Sequence, residues 1–310
     1  MLKRLVIKVL RRLGVLNSLN FTVDAEYGSH RYCVPMIHGL GEANLALSEP
    51  WMLETLQGCL SLKAGIFMDV GVNVGQTLIK VKALEPDRSY IGVEPNPTCI
   101  FYLQRLVQKN RYSKVRLLPV GFSNQTGLAF LDFFSEFDAG SSASIVSNFR
   151  PHETVSFQKC VPVFNYTDIS GFLEITDLAI IKIDVEGAEL SVLEGLHEAL
   201  TSHRPLIILE ILPVYDAAKF SERLARQESI ESMMRSADYH VFRIRKTSKD
   251  QLSGFELVEE IGIYGDLTLS DYVMVPDELT QEFKTVFSQV RLSGLDTEST
   301  RYSQKPVQTV

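Results

Sequence analysis

Residues 66–77 read IFMDVGVNVGQT, a short apolar run followed by a turn and the start of a helix. The run 66–70 predicts a buried strand. In the turn, Gly71 and Gly75 let the backbone bend tightly and approach a ligand, and Asn73 between them tolerates left-handed geometry. Such a turn lies at the carboxyl end of its strand, where open α/β sheets bind ligands. The segment therefore predicts an α/β fold with a ligand site after this strand.

The turn differs from two well-known phosphate-binding loops. The dinucleotide pattern G-x-G-x-x-G requires glycine at positions 73 and 76, where this chain has Asn73 and Gln76. A P-loop would continue into Gly-Lys-Ser or Gly-Lys-Thr, and no such sequence follows. Taken alone, the turn identifies no particular cofactor.

Apolar runs and helical stretches alternate on the carboxyl side of this turn. The runs lie at 66–70, 90–93, 115–120, 178–183 and 206–211, and the helical stretches at 76–84, 97–110, 187–201 and 217–235. This alternation predicts βαβ units and a doubly wound parallel sheet covered by helices on both faces. Later runs at 239–244 and 271–275 predict further strands at the far edge of the sheet.

The second strand ends in a carboxylate that fits a nucleoside cofactor. Residues 92–97 read GVEPNP, and Glu94 lies 23 residues after Gly71. A carboxylate at the tip of the second strand accepts hydrogen bonds from both hydroxyls of a ribose. The alternative is a surface acid that precedes a turn and caps the next helix. Because the glycine turn lies at the expected separation, we favour the ribose role.

A third polar group follows the apolar run at 178–183, where residues 180–189 read IIKIDVEGAE. Strand alternation places Lys182 and Asp184 on one face. Burying charge in a doubly covered strand is costly unless it is paired or faces a polar cleft. Asp184 and Glu186 lie at the strand tip, where the dipole of the following helix favours anions. A helix-capping cluster with a Lys182 ion pair is the alternative, and it accounts for Glu189.

These segments together resemble one family. Residues 67–77, 93–97, 181–189 and the VLEG that follows at 192–195 are similar to FkbM-type S-adenosylmethionine-dependent methyltransferases. The resemblance extends over about residues 45–276, and the block from Lys182 to Glu189 is its most specific part. Two departures are Val72, where the family usually has Ala, and Tyr-Thr-Asp at 166–168 instead of Thr-Leu-Asp.

The resemblance implies a class I (Rossmann-like) doubly wound seven-stranded sheet, S-adenosylmethionine as cofactor, and O-methylation of a sugar, glycan or secondary-metabolite hydroxyl. It also implies roles for seven residues. The methionine end of the cofactor would be lined by Asp69, Gly71, Asn73 and Gly75, the exit of the turn by Thr77, the ribose by Glu94 and the adenine by Asn96.

A neutral hydroxyl must lose its proton during methyl transfer, and Asp184 or Glu186 is the expected catalytic base. The same carboxylates could instead bind a divalent cation, but the chain shows no complete set of metal ligands, so we predict no metal. Two alternative functions stay open. One is a nicotinamide-dependent oxidoreductase, and the other is a non-catalytic methyltransferase-fold subunit in glycan assembly.

Charge along the chain is uneven. The 310 residues include 31 Lys and Arg against 38 Asp and Glu, a net charge of −7, which argues against nucleic acid as the main partner. Residues 1–14 hold five basic residues and no acid, leaving 26 basic against 38 acidic residues elsewhere, a net of −12. Apolar residues recur among them at helical spacing and predict a cationic amphipathic helix. We expect it to pack on the domain, with peripheral contact to a membrane surface as the alternative.

Other features suggest an intracellular protein with three parts. The basic residues interrupt any signal-peptide core, no apolar run is long enough for a transmembrane helix, and four scattered cysteines predict free buried thiols. We therefore expect a cytoplasmic location, with the inner face of the membrane as an alternative position. The predicted parts are an N-terminal helix and extended arm (1–60), a methyltransferase domain (61–276) with an insertion at 127–163, and a C-terminal extension (277–310) that is flexible at its end. The oligomeric state is unknown.

Overall fold

The computed structural model describes residues 2–27, 30–46, 48–134, 145–146 and 154–295. The helices are α1 (Leu2–Arg12), α2 (Pro50–Leu62), α3 (Gln76–Leu84), α4 (Pro97–Asn110), α5 (Tyr166–Leu173), α6 (Glu189–Gly195), α7 (His197–His203), α8 (Ser221–Ser236) and α9 (Thr280–Leu295). The strands are β1 (Asn20–Tyr27), β2 (His30–Ile37), β3 (Ile66–Val70), β4 (Tyr90–Val93), β5 (Val115–Leu118), β6 (Gly121–Phe122), β7 (Gly127–Phe133), β8 (Phe157–Phe164), β9 (Leu178–Ile183), β10 (Leu206–Glu210), β11 (Tyr239–Lys246), β12 (Leu252–Val258) and β13 (Asp271–Pro276).

The central sheet has the order β12-β11-β13-β10-β9-β3-β4-β5. The five strands from β10 to β5 run parallel, and β13, β11 and β12 are added antiparallel. Every strand expected from the apolar runs is present. The expected count of seven is exceeded by one, because β12 pairs with β11 and forms the edge of the sheet.

Two apolar clusters cover the two faces of this sheet. Ile180 belongs to one cluster and its neighbours Ile181 and Ile183 to the other, as strand alternation requires. The first cluster includes side chains from α2, α3, α4 and α9, and the second includes side chains from α5 to α8. The sheet is therefore covered by helices on both sides, which is the predicted doubly wound α/β architecture.

The N-terminal arm packs on the first of these faces. Strands β1 and β2 form an antiparallel hairpin, and Tyr32, Val34 and Trp51 belong to the same buried cluster as Phe67 of β3. The arm therefore shares one buried apolar cluster with the central sheet.

The segment after residue 276 is helical where the chain is described. Phe283 of α9 contacts Phe255 of β12 edge to face, Phe287 contacts it at a tilt, and Phe287 fits against Gly58, where a Cβ would lie only 2.1 Å from its ring. Within the expected extension 277–310, α9 runs to Leu295. Residues 296–310 lie outside the described residues.

Strands β7 and β8 of the insertion pair antiparallel and, with β6 just before it, form a small second sheet of order β6-β8-β7. Its Ser-rich loop at 140–144 lies outside the described residues. The four cysteines are all free, but only Cys59 and Cys99 are buried, so the expectation of buried thiols was wrong for Cys33 and Cys160. No helix in the described part of the chain has the length and apolar character needed to span a bilayer.

Candidate functional site

A cavity of about 250 Å³ opens at the carboxyl ends of β3, β4, β9 and β10. Six of the nine residues that the sequence singled out line it: Gly71, Asn73, Glu94, Asn96, Asp184 and Glu186. Because parallel strands end at the same edge of the sheet, segments more than a hundred residues apart in sequence meet at this cavity.

The glycine turn is shaped by the backbone of the neighbouring strand. Gly71 has φ +87°, and a Cβ added to it would lie 1.9 Å from the carbonyl oxygen of Asp184. No other residue fits there without moving one of the two segments. Asn73 has φ +50°, the left-handed geometry expected of it. The turn therefore brings bare backbone to the cavity wall.

Glu94 is held by the turn that it faces. Its Oε2 accepts a hydrogen bond from the Asn73 N–H and its Oε1 from the Asn96 N–H, both at 2.9 Å. An ionised carboxylate has about four lone-pair positions, so each oxygen can accept one more hydrogen bond from a ligand hydroxyl. Burial raises the pKa of Glu94 to about 7, although the two backbone N–H groups act in the opposite direction.

Asn96 caps a helix. Its side-chain oxygen accepts a hydrogen bond from the Thr98 N–H at 3.0 Å, which satisfies one of the unpaired donors at the start of α4. The apolar part of the cavity wall is instead formed by Leu131 and Ile145 of the insertion, together with Phe122 of β6 and Val93 of β4. A flat heteroaromatic ring would contact these side chains.

Three residues of the predicted site lie away from this cavity. Asp69 is fully buried beneath the turn, where it accepts a hydrogen bond from the Tyr90 hydroxyl, and it does not line this cavity. Gly75 faces the protein interior, where a Cβ would lie 2.8 Å from Leu103. Thr77 lines a neighbouring cavity instead.

Lys182 links the buried Asp69 to the cavity. Its Nζ lies 3.0 Å from Asp184 Oδ2 and 3.6 Å from Asp69 Oδ1. Burial alone would lower the pKa of Lys182, but Asp184 and Asp69 outweigh this effect and raise it well above its usual value. Lys182 is therefore charged and holds the carboxylate of Asp184 at the strand tip.

The two carboxylates that follow have different surroundings. Glu186 lines the cavity from a left-handed backbone position, φ +49°. Glu189 reaches back to accept a hydrogen bond from the Gly187 N–H at 2.7 Å, and burial raises its pKa to about 7. This hydrogen bond is to the residue before the N-cap Ala188, and the N-cap position of α6 itself has no side-chain hydrogen bond.

Glu210 is a cavity residue that the site prediction missed. It ends β10, lines the cavity, and its carboxylate forms no hydrogen bond or ion pair with any described residue. Burial and the nearby carboxylates of Asp184, Asp271 and Glu186 together raise its pKa to about 8. The only available sequence signal was a single acid at the end of an apolar run, at the same sheet edge as Asp184.

A second cavity of about 410 Å³ adjoins the first and shares Gly71, Asn73 and Asp184 with it. Its other wall is the arm, from Gly39 to Glu49. The arm is fastened to the glycine turn by hydrogen bonds. Asn44 Nδ2 donates to the Val74 carbonyl at 2.6 Å, and Gln76 Nε2 donates to the Ala43 carbonyl at 3.0 Å. Across the described part of the chain, no group of three His, Cys, Asp or Glu side chains is arranged to hold a metal ion.

The model of the methyltransferase FkbM domain matches residues 69–241, more than half of the chain. The chain belongs to the FkbM methyltransferase family. This match confirms the predicted family, its class I α/β fold and, at the level of the family, its cofactor S-adenosylmethionine. The matched range begins at Asp69 in β3 and ends in β11, so it contains all the strands whose ends form the first cavity.

Two curated relatives are similar over part of their length. Methyltransferase sdnD of Sordaria araneosa is 25% identical over 155 residues, covering 42% of this chain and 60% of the relative. Methyltransferase 1 of Beauveria bassiana is 24% identical over 146 residues, covering 42% and 58%. The matches thus span about three-fifths of these curated proteins.

Solved structures show more distant likeness. An FkbM methyltransferase from Methylobacillus flagellatus KT is 17% identical, with a TM-score of 0.41, and the match covers 68% of this chain and 43% of that one. The O-methyltransferase TomG from Streptomyces achromogenes, solved with SAM, is 12% identical with a TM-score of 0.43, covering 74% and 80%. Likeness at this level adds nothing to the family assignment.

Proposed function

We propose that this FkbM-family chain is an O-methyltransferase that uses S-adenosylmethionine to methylate a hydroxyl group of a small molecule or glycan. The observation that carries the proposal is the composition of one cavity wall. A carboxylate suited to a ribose, Glu94, lies beside the glycine turn. Three further carboxylates lie at the carboxyl ends of β9 and β10, namely Asp184, Glu186 and Glu210.

The residues present fit this cofactor. Glu94 has an acceptor position on each oxygen for the two ribose hydroxyls, Phe122 and Leu131 offer an apolar surface for the adenine, and the side-chain-free Gly71 admits close approach of the methionine part. Bound S-adenosylmethionine supplies a methyl group on a positively charged sulfonium. The protein then has to orient the acceptor oxygen, exclude water and accept a proton.

We propose Glu210 as the proton acceptor, in addition to the two candidates from the sequence. The carboxylate of Asp184 is already engaged in an ion pair with Lys182 at 3.0 Å. Glu210 has no such partner among the described residues, and burial raises its pKa to about 8, close to the pH at which a general base works best. Asp184 and Glu186 then provide negative charge near the cationic cofactor.

The carboxylates of the cavity indicate the chemical class of the methyl acceptor. A hydroxyl on a sugar or a secondary metabolite is proposed because carboxylates both accept its proton and hydrogen-bond to neighbouring hydroxyls. The division into an arm (1–60), a domain (61–276) and an extension (277–310) is likewise a proposal, as is a cytoplasmic location.

Calorimetry with two ligands separates this proposal from a nicotinamide-dependent oxidoreductase. S-adenosylhomocysteine should bind to the full chain and NADH should not. A protein that binds NADH and not S-adenosylhomocysteine would contradict the proposal. Binding of S-adenosylhomocysteine without methyl transfer to any acceptor fraction would instead favour the non-catalytic subunit.

A further inference from the structure

The N-terminal helix α1 uses only one of its faces to pack on the protein. Ile7 is buried, and Leu10 packs against the same cluster of the core. Leu16, just after the helix, is also buried in that cluster. These three side chains join α1 to the large apolar cluster on one face of the central sheet.

A different face of the same helix is apolar and exposed. Val6, Val9 and Leu13 are 49%, 46% and 67% exposed. At about 100° per residue they fall within an arc of about 60°, and the Leu13 N–H still donates to the Val9 carbonyl, so the helical path continues to Leu13. Single exposed apolar residues are ordinary on a protein surface, but three on one helix face form a patch.

Basic residues border this patch. Lys8 and Arg12 are exposed, and neither forms an ion pair with any described residue. Arg11, on the other side of the helix, pairs with Glu42. The sequence contains no Asp or Glu before Asp24, although acidic residues outnumber basic ones in the chain as a whole. Apolar and positive groups are thus concentrated on a helix that carries no acidic side chain of its own.

We propose that this face, formed by Val6, Val9, Leu13, Lys8 and Arg12 and called the α1 face below, docks on a lipid bilayer that carries anionic headgroups. The proposal is independent of the methyltransferase function. Apolar side chains enter the boundary between headgroups and acyl chains, while Lys and Arg beside them attract negative lipids. The buried Ile7 and Leu10 lie next to this face around the helix, so α1 is fixed to the protein along one side and can lie in the plane of the membrane, as interfacial helices do.

Other occupants fit the α1 face less well. Nucleic acid would use the positive charges but not the apolar side chains, and the acidic remainder of the chain would repel it. Pairing two copies through this face would bring two basic helices together without acids to compensate them. Because Glu42 also lines the second cavity, its ion pair with Arg11 connects the docked helix to the wall of the candidate site.

Flotation of the full chain with vesicles tests the proposal. The chain should float with phosphatidylcholine vesicles that contain about a third phosphatidylglycerol and remain unbound with pure phosphatidylcholine, and added salt should weaken binding. Lys8→Glu with Arg12→Glu should lower the partition coefficient by about thirtyfold or more, since each basic residue near an anionic surface contributes about a fivefold factor.

Val9→Asp with Leu13→Asp should abolish flotation. The matched control is Leu267→Asp, because Leu267 is 65% exposed on a different part of the surface. The control should float like the unmodified chain. Circular dichroism of each variant checks that it is folded, which is expected because all the changed side chains are exposed.

Three results would overturn the proposal. The first is that the unmodified chain does not float with the anionic vesicles. The second is that both α1 double variants float as well as the unmodified chain. The third is that sedimentation velocity shows a dimer that the Val9→Asp, Leu13→Asp change converts to a monomer, which would assign the α1 face to self-association.

Discussion

Replacing Glu94 by glutamine tests the cofactor site, because both oxygens of this carboxylate already accept a backbone hydrogen bond. Asn73 N–H donates to one and Asn96 N–H to the other, each at 2.9 Å. Glutamine keeps the shape but turns one acceptor into an NH₂ donor. Whichever way the amide is oriented, that NH₂ faces a backbone N–H. The substitution therefore removes one backbone hydrogen bond and one acceptor position for a ribose hydroxyl.

The expected loss of affinity follows from these two changes. A hydrogen bond to a charged acceptor contributes about 1.5 to 3 kcal/mol, and the ribose hydroxyl that remains bound also loses its charged partner. We expect Glu94→Gln to weaken the binding of S-adenosylhomocysteine by about 2 to 4 kcal/mol, or about thirtyfold to a thousandfold.

Isothermal calorimetry at a pH of about 8, above the pKa of about 7 for Glu94, measures this loss with the carboxylate ionised. Glu189→Gln is the matched control. Glu189 is also buried, also has a pKa raised to about 7 and also accepts a backbone hydrogen bond, but it does not line the cavity. Its substitution should leave the affinity unchanged. If Glu94→Gln binds as tightly as this control, the ribose role of Glu94 is wrong.

The pH dependence gives a second measure of the same role. Because burial raises the pKa of Glu94 to about 7, its carboxyl is largely protonated below that pH and is then a poorer acceptor for ribose hydroxyls. Affinity for S-adenosylhomocysteine should rise as the pH increases through about 7, and this rise should be absent from Glu94→Gln. A fall in affinity over that range would contradict the assignment.

Three further substitutions test the site around Glu94. Gly71→Ala places a Cβ 1.9 Å from the Asp184 carbonyl oxygen at φ +87°, so urea denaturation should show a loss of at least about 3 kcal/mol; a stability equal to that of the unmodified chain would refute the close approach. Lys182→Met leaves Asp69 buried without its cation and should cost about 3 to 5 kcal/mol, of which adding Asp69→Asn should restore part. Glu210→Gln should keep its affinity for S-adenosylhomocysteine but lose turnover, along with the rise of turnover with pH through about 8; a variant that retains that rise would exclude Glu210 as the base.

The sequence was sufficient to bring the main site residues together. Gly71, Glu94 and Asp184 each follow an apolar run, and the βαβ rule makes those runs parallel strands that end at one edge. The geometry then requires the three residues to be neighbours, whatever the details of packing. The positions that line the first cavity are largely those that this rule predicts.

The strand pattern did not predict where the side chain of Asp69 lies. Strand β3 is buried on both faces, so its apolar pattern does not indicate which face an acid occupies. Asp69 is accommodated because Tyr90 and Lys182, from the two adjacent strands, reach it. Partners contributed by separate strands become visible only when the order of the strands is known.

Glu210 and α9 were missed for related reasons. Glu210 is one acid at the end of an apolar run, and its significance comes from the absence of a partner and from three carboxylates brought close by other strands. In α9, Phe283 and Phe287 stand among polar residues, and their burial depends on Phe255 of the unpredicted edge strand β12. Both features depend on tertiary contacts rather than on local pattern.

Transfer of a labelled methyl group is the most direct test of the proposed O-methyltransferase. The full chain is incubated with S-adenosylmethionine carrying a tritiated methyl, together with glycolipid, oligosaccharide or small-metabolite fractions of the host. One fraction should acquire label in a base-stable product, as an ether requires, and S-adenosylhomocysteine should appear in equal amount. Label that is released by mild base, or no label in any fraction from protein that binds S-adenosylhomocysteine, would contradict methyl transfer to a hydroxyl.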